Sequence, residues 1–142
     1  MTRFNFPTAV TAISAVFLFV GSAAQAEMMK FTAELSGASQ VPPADSAATG
    51  TVELTLDTEA KTVTWLVKAE GLSGEPTASH IHGPAAPTES AAPVIDTLST
   101  MEGSAPITDE QIAELTGGMY YYNVHTDKFP DGEIRGQLSA AK

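Results

Sequence analysis

Thr51-Val52-Glu53-Leu54-Thr55-Leu56-Asp57, followed after a short polar link by Thr62-Val63-Thr64-Trp65-Leu66-Val67-Lys68, is the stretch whose reading decides the fold. Side chains alternate across a strand with period two, so Val52, Leu54 and Leu56 share one face while Thr51, Glu53, Thr55 and Asp57 share the other. The second run repeats the pattern with Val63, Trp65 and Val67. Asp57-Thr58-Glu59-Ala60-Lys61 has hairpin length, and the two runs predict an antiparallel pair. Trp65, the only tryptophan, falls on the inward parity and is expected to anchor the core, where its burial is worth about 3–5 kcal/mol against alanine.

Upstream, Met29, Phe31, Ala33 and Leu35 alternate with Lys30, Thr32 and Glu34, which predicts another half-buried strand. Ser36 to Ala48 reads as a loop, because Pro42-Pro43 and Asp45-Ser46 deny it regular hydrogen bonding. Downstream, Gly71-Leu72-Ser73-Gly74-Glu75-Pro76 interrupts the alternation and delivers the chain into Thr77-Ala78-Ser79-His80-Ile81-His82, a strand that Gly83-Pro84 ends. An Ala/Pro-rich loop follows through Ala92, then a further short strand from Pro93 to Leu98.

One helix is expected. Thr108-Asp109-Glu110-Gln111 matches a capping box, Ile112 and Leu115 give a small apolar face, and Gly117-Gly118 supplies the stop. Met119 to His125 then reads as a strand with Tyr120, Tyr122 and Val124 inward and Tyr121, Asn123 and His125 on the opposite face. After a Pro130-Asp131-Gly132 turn, the last strand carries Ile134 and Leu138 on one side and Glu133, Arg135 and Gln137 on the other. About seven strands with almost no helix predict an all-β, antiparallel β-sandwich.

The amino terminus stands apart from this pattern. Arg3, an apolar run from Ala9 to Val20 and then Ala24-Gln25-Ala26 read as a secretory signal peptide over residues 1–26, cleaved after Ala26. The apolar run falls short of the roughly 20 residues that a membrane-spanning helix needs, so no membrane insertion is expected. Residues 27–142 are expected to form a single exported domain, periplasmic or secreted. The chain has no cysteine, which excludes a disulfide framework. Its formal net charge is −10, one unit more negative once Arg3 is removed. That balance argues against nucleic acid and anionic membrane, which bind through clustered Lys and Arg.

The chain's three histidines are confined to Ser79-His80-Ile81-His82-Gly83-Pro84 and Tyr122-Asn123-Val124-His125-Thr126. A His-x-His pair on a strand puts both imidazoles on one face, and if Ile81 points inward His80 and His82 point away from the core. His125 on a neighbouring strand would complete a three-nitrogen pocket. Three neutral imidazoles suit Zn(II) or Cu(II), with copper ahead in the affinity order for nitrogen donors, and an exported setting without cysteine suits the oxidised ion. Glu133 or Asp127 is the expected source of a carboxylate ligand or of a hydrogen bond that orients an imidazole. Met101 and Met119 are secondary candidates for Cu(I), weighed against the commoner core role of methionine. On the competing structural reading the histidines bond to backbone carbonyls or to Glu133, with Arg135 as that carboxylate's ion-pair partner.

Phe31-Thr32-Ala33-Glu34-Leu35-Ser36-Gly37, Ala78-Ser79-His80-Ile81-His82-Gly83-Pro84-Ala85, Tyr122-Asn123-Val124-His125-Thr126 and Gly132-Glu133-Ile134-Arg135-Gly136-Gln137-Leu138 together resemble the CHRD (chordin) domain in its exported, single-domain bacterial type. The resemblance spans nearly all of residues 27–142 and departs in the Ala/Pro-rich loop after Gly83-Pro84. It implies a compact, all-β, Greek-key-like domain and carries little about activity. A narrower analogy links the His-x-His strand to the copper-binding strand of copper/zinc superoxide dismutases. Three functions follow as expectations: a non-catalytic binding protein for copper, with zinc as the alternative; an extracellular module that recognises a protein or glycan, with structural histidines; and a copper-dependent oxidoreductase acting on superoxide. Hydrolysis lacks a nucleophile motif.

Overall fold

A computed structural model describes residues 27–97 and 101–142; the expected signal peptide and Leu98 lie outside them. Among the described residues the strands are β1 (Met28–Ser36), β2 (Thr49–Asp57), β3 (Thr62–Glu70), β4 (Pro76–His82), β5 (Pro93–Asp96), β6 (Glu102–Pro106), β7 (Tyr121–Thr126), β8 (Ile134–Gln137) and β9 (Ser139–Ala140), with one α-helix, α1 (Asp109–Thr116). The strand order is β5-β4-β7-β8-β1-β2-β3-β6, with β9 alongside β1, and every pairing is antiparallel. Among the described residues no helix is long and apolar enough to cross a membrane.

The β2–β3 hairpin pairs without interruption from Thr49↔Glu70 to Asp57↔Thr62, placing Leu54 opposite Trp65 and Val52 opposite Val67. β1 runs along the other edge of β2 from Met28↔Asp57 to Ser36↔Thr49. The chain then crosses to a second layer, where β4 pairs with β5 and β7, and β7 with β8. β1 meets β8 at a single aligned pair, Ser36↔Arg135. The two layers turn into one another there, and their inward residues interleave in one core. Phe31, Leu35, Leu54, Trp65 and Val67 from the first layer pack with Ile81, Ile95, Tyr122, Val124 and Ile134 from the second. The result is the expected all-β sandwich, with the Greek-key-like crossing of strands between layers.

Two strands exceed the expected seven. β6, Glu-Gly-Ser-Ala-Pro, carries no apolar alternation and lies exposed at the sheet edge, held through backbone pairing with β3. Its Gly103 faces Trp65, and a Cβ there would lie 2.5 Å from the indole Cζ2. β9 is a two-residue extension along β1. The strand expected from Pro93 pairs only as far as Asp96, with Ile95 inward. The Tyr-rich strand begins at Tyr121 rather than Met119. The helix has the expected capping box: Thr108 Oγ1 accepts from Gln111 N at 3.2 Å, and Gln111 Oε1 accepts from Thr108 N at 3.0 Å.

The outer face of the second layer departs from simple alternation. Tyr121, Asn123, Glu133 and Arg135 have outward parity, yet all four are buried. Three loops cover them, the one after β3 through Ser73, which donates to Glu133. Gln40, from the loop after β1, donates to Asn123 Oδ1 at 2.7 Å, and the carbonyls of Pro87 and Glu89, from the loop after β4, accept from Arg135. This half of the sandwich therefore has a third, polar layer, and the histidines sit at its margin.

Candidate metal centre

β4 and β7 are adjacent and antiparallel, with His80 opposite Asn123, Ala78 opposite His125 and His82 opposite Tyr121. Ile81 points into the core, which turns His80 and His82 outward. His125 has the same outward parity on β7 and lies diagonal to His80, within reach of a long side chain. One ring nitrogen from each of His80, His82 and His125 falls within 4.8 Å of the others. His80 Nδ1 and His125 Nε2 are 3.3 Å apart, about the separation of two nitrogens bound tetrahedrally at roughly 2.0–2.1 Å to one metal ion.

Backbone carbonyls fix two of the rings. His82 Nδ1 donates to Ala91 O at 2.9 Å, and His125 Nδ1 donates to Pro130 O at 2.9 Å. A carbonyl only accepts, so Nδ1 carries the proton in the neutral ring and Nε2 keeps its lone pair. His82 Nε2 is buried and has no hydrogen-bond partner among the described residues. An orphaned acceptor of this kind costs about 1–3 kcal/mol when buried.

The Ala/Pro-rich loop proves to be part of the support. The Ala91 carbonyl accepts from both His82 Nδ1 and Tyr121 Oη, and the Ala91 N–H donates to the same Tyr121 oxygen at 3.1 Å. The His82 ring stacks on Tyr121, with centroids 4.9 Å apart and planes 10° from parallel. Arg135 places its guanidinium 3.5 Å over the Tyr121 ring. Because β7 lies between β4 and β8, Tyr121 takes His82 from the β4 side and Arg135 from the β8 side.

His82 is 7% exposed, and burial pushes its pKa down to about 4 against the counter-pull of the Ala91 carbonyl; His80, His125 and Arg135 lower it further. His80 is also lowered, by burial and then by His125, while Asp96 opposes the shift. At neutral pH His80 and His82 are therefore uncharged, the state a metal requires of its imidazole ligands.

The structure corrects the expected carboxylate roles. Glu133 does not orient an imidazole: its carboxylate accepts from Ser46 Oγ at 2.8 Å, Ser73 N at 2.9 Å, Ser73 Oγ at 2.8 Å and Thr126 Oγ1 at 2.7 Å. Burial alone would raise its pKa, but these bonds outweigh burial and hold it below the usual carboxylate range. Nor does Glu133 pair with Arg135; among the described residues the one ion pair is Lys61–Asp109 at 2.7 Å. Met101 packs against the core, and Met119 is exposed after the helix. The backbone carbonyls expected on the competing reading prove to be those of Ala91 and Pro130, positions that carry no residue-type signal; sequence reasoning missed Tyr121 as the platform under His82.

A family model described as the CHRD domain matches residues 31–138, a span that includes all three histidines. Comparison with curated proteins and with solved structures found no match.

Proposed function

The chain belongs to the CHRD-domain family, and from that premise we propose that it is an exported binding protein that holds a copper ion through His80, His82 and His125. The observation that carries this reading is the convergence of three imidazole nitrogens within 4.8 Å, two of them on rings whose other nitrogen is already committed to a carbonyl. This is the support a metal-bound histidine ordinarily has. The donor set is nitrogen alone and suits Cu(II) ahead of Zn(II). The apolar run and Ala-Gln-Ala site over residues 1–26 support export.

The competing reading, an extracellular interaction module with structural histidines, draws support from the same two carbonyl bonds. It accounts for the carbonyl-bonded nitrogens of His82 and His125 and for the long 3.3 Å hydrogen bond between His80 Nδ1 and His125 Nε2, and leaves the orphaned Nε2 of His82 without a role. Calorimetric titration of the purified protein with Cu(II) and Zn(II), beside a His80→Ala, His82→Ala double variant, separates the two. Stoichiometric binding that disappears in the variant supports the metal reading, and absence of binding to the intact protein leaves the interaction module.

A further inference from the structure

Arg135 is 2% exposed, and among the described residues no carboxylate pairs with it. In a chain with 17 acidic residues against 7 basic ones, the one cation buried among the described residues has no acid paired with it. Its hydrogen bonds among the described residues all come from one nitrogen, Nη2, to Glu89 O at 2.7 Å and Pro87 O at 3.4 Å. Nε and Nη1 have no acceptor there. A guanidinium offers five N–H donors in a planar fork matched to a carboxylate, and an uncompensated buried charge is costly.

The same side chain forms part of the wall of a groove of about 410 Å³ between the loops after β1 and β4, together with Ser39, Val41, Pro43, Thr88 and Gln137. That volume lies within the roughly 300–1,000 Å³ of small-molecule sites. Val41 and the prolines add apolar residues to the lining, and Ser39 and Thr88 add polar ones. The Tyr121 ring beneath the guanidinium fixes its plane by stacking, so the fork is held before any ligand arrives.

We propose that this groove is a second binding site, separate from the histidine cluster, that takes a small organic carboxylate: the carboxylate on the free edge of the Arg135 guanidinium and the hydrocarbon portion against Val41 and Pro43. The ligand supplies the anion that the fold omits. It requires no metal, since Arg135 lies on the β8 side of Tyr121 and the histidines on the β4 and β7 side.

The test is titration of the metal-free protein, in EDTA, with acetate, hexanoate and benzoate, followed calorimetrically and by the Arg Nε–H resonances in nitrogen-15 NMR. Hexan-1-ol and hexylammonium serve as controls of similar shape. The expected result is saturable binding of hexanoate or benzoate with a shift of one Arg Nε–H resonance, and no saturable binding of either control. Arg135→Lys keeps the charge and loses the fork, and is expected to weaken binding at least tenfold. Val41→Asp, at an exposed position on the groove wall, puts a carboxylate beside the site without touching the core and is expected to do the same in a folded protein. The His80→Ala variant, which leaves the His82–Tyr121 stack and the His82–Ala91 bond in place, is expected to bind the carboxylate unchanged, which keeps this result distinct from any result at the histidines. Failure of all three acids to bind, equal binding of hexan-1-ol, or binding that survives both Arg135→Lys and Val41→Asp would overturn the proposal.

Discussion

His80 Nδ1 and His125 Nε2 face each other at 3.3 Å across the β4–β7 pair. With His125 Nδ1 bound to the Pro130 carbonyl, its Nε2 is an acceptor, and a metal ion between the two nitrogens would replace a single weak hydrogen bond with two coordinate bonds. The first prediction follows from linkage. A metal that binds only the folded protein stabilises it by about 2.7 kcal/mol at a hundredfold excess over its dissociation constant. One equivalent of Cu(II) is expected to raise the melting temperature by several degrees, EDTA to reverse the rise, and His125→Ala to abolish it. Differential scanning calorimetry reads all three.

Burial of His82 is expected to set the acid limit of the metal-free protein. Its folded pKa, lowered to about 4 by burial, lies below the unfolded value of about 6.5. The unfolded chain therefore takes up a proton first as pH falls, and stability present above pH 6.5 is lost down to about pH 4. Between pH 7.5 and 5 the loss from this one group is about 2 kcal/mol. Urea unfolding at the two pH values, compared with His82→Gln, measures it: the variant is expected to lack about that much of the drop. An equal drop in both proteins would show that His82 does not set the limit.

Glu133 works in a lower pH range. Ser46, Ser73 and Thr126 bond to its ionised form and hold its pKa below the usual carboxylate range. Its contribution is present at neutral pH and is lost only as pH falls through that lowered value. Glu133→Gln presents an amide N–H₂ to donors that need an acceptor, and is expected to cost about 2–3 kcal/mol at pH 7, in line with hydrogen bonds to charged groups. Denaturant titration checks the magnitude, and the difference from the native protein should shrink in strong acid.

Gly103 is required by its neighbour across the sheet. A Cβ at this position meets the Trp65 ring at 2.5 Å, so Gly103→Ala must displace either the indole or the β6 edge strand. The expected cost is about 1–3 kcal/mol, the range for overpacked cores. Unfolding monitored by Trp65 fluorescence, against an unchanged circular dichroism spectrum of the folded state, distinguishes this local strain from loss of the fold.

Much of this architecture was legible in the sequence because the pleat enforces a period of two. The same parity that sends Val52, Leu54 and Trp65 inward sends His80, His82 and His125 to one outer face. What parity cannot carry is cover supplied from far along the chain. Asn123 and Arg135 have outward parity, and only the loops bearing Gln40 and Glu89 bury them. β6 was invisible for a related reason: an edge strand held by backbone pairing needs no apolar residue of its own. Backbone carbonyls were among the expected partners of the histidines, but which ones could not be read, because Ala91 and Pro130 act through their main-chain oxygens; Glu133, the other expected partner, is held by three hydroxyls and the Ser73 N–H.

Electron paramagnetic resonance of the purified protein with one equivalent of Cu(II) at pH 7.5 tests the central claim most directly. The account predicts a single copper species with splitting from three imidazole nitrogens, reduced to two in His125→Ala and replaced by the aquo-copper spectrum in the His80→Ala, His82→Ala variant. An aquo-copper spectrum from the intact protein, or one that the histidine substitutions leave unchanged, would contradict it.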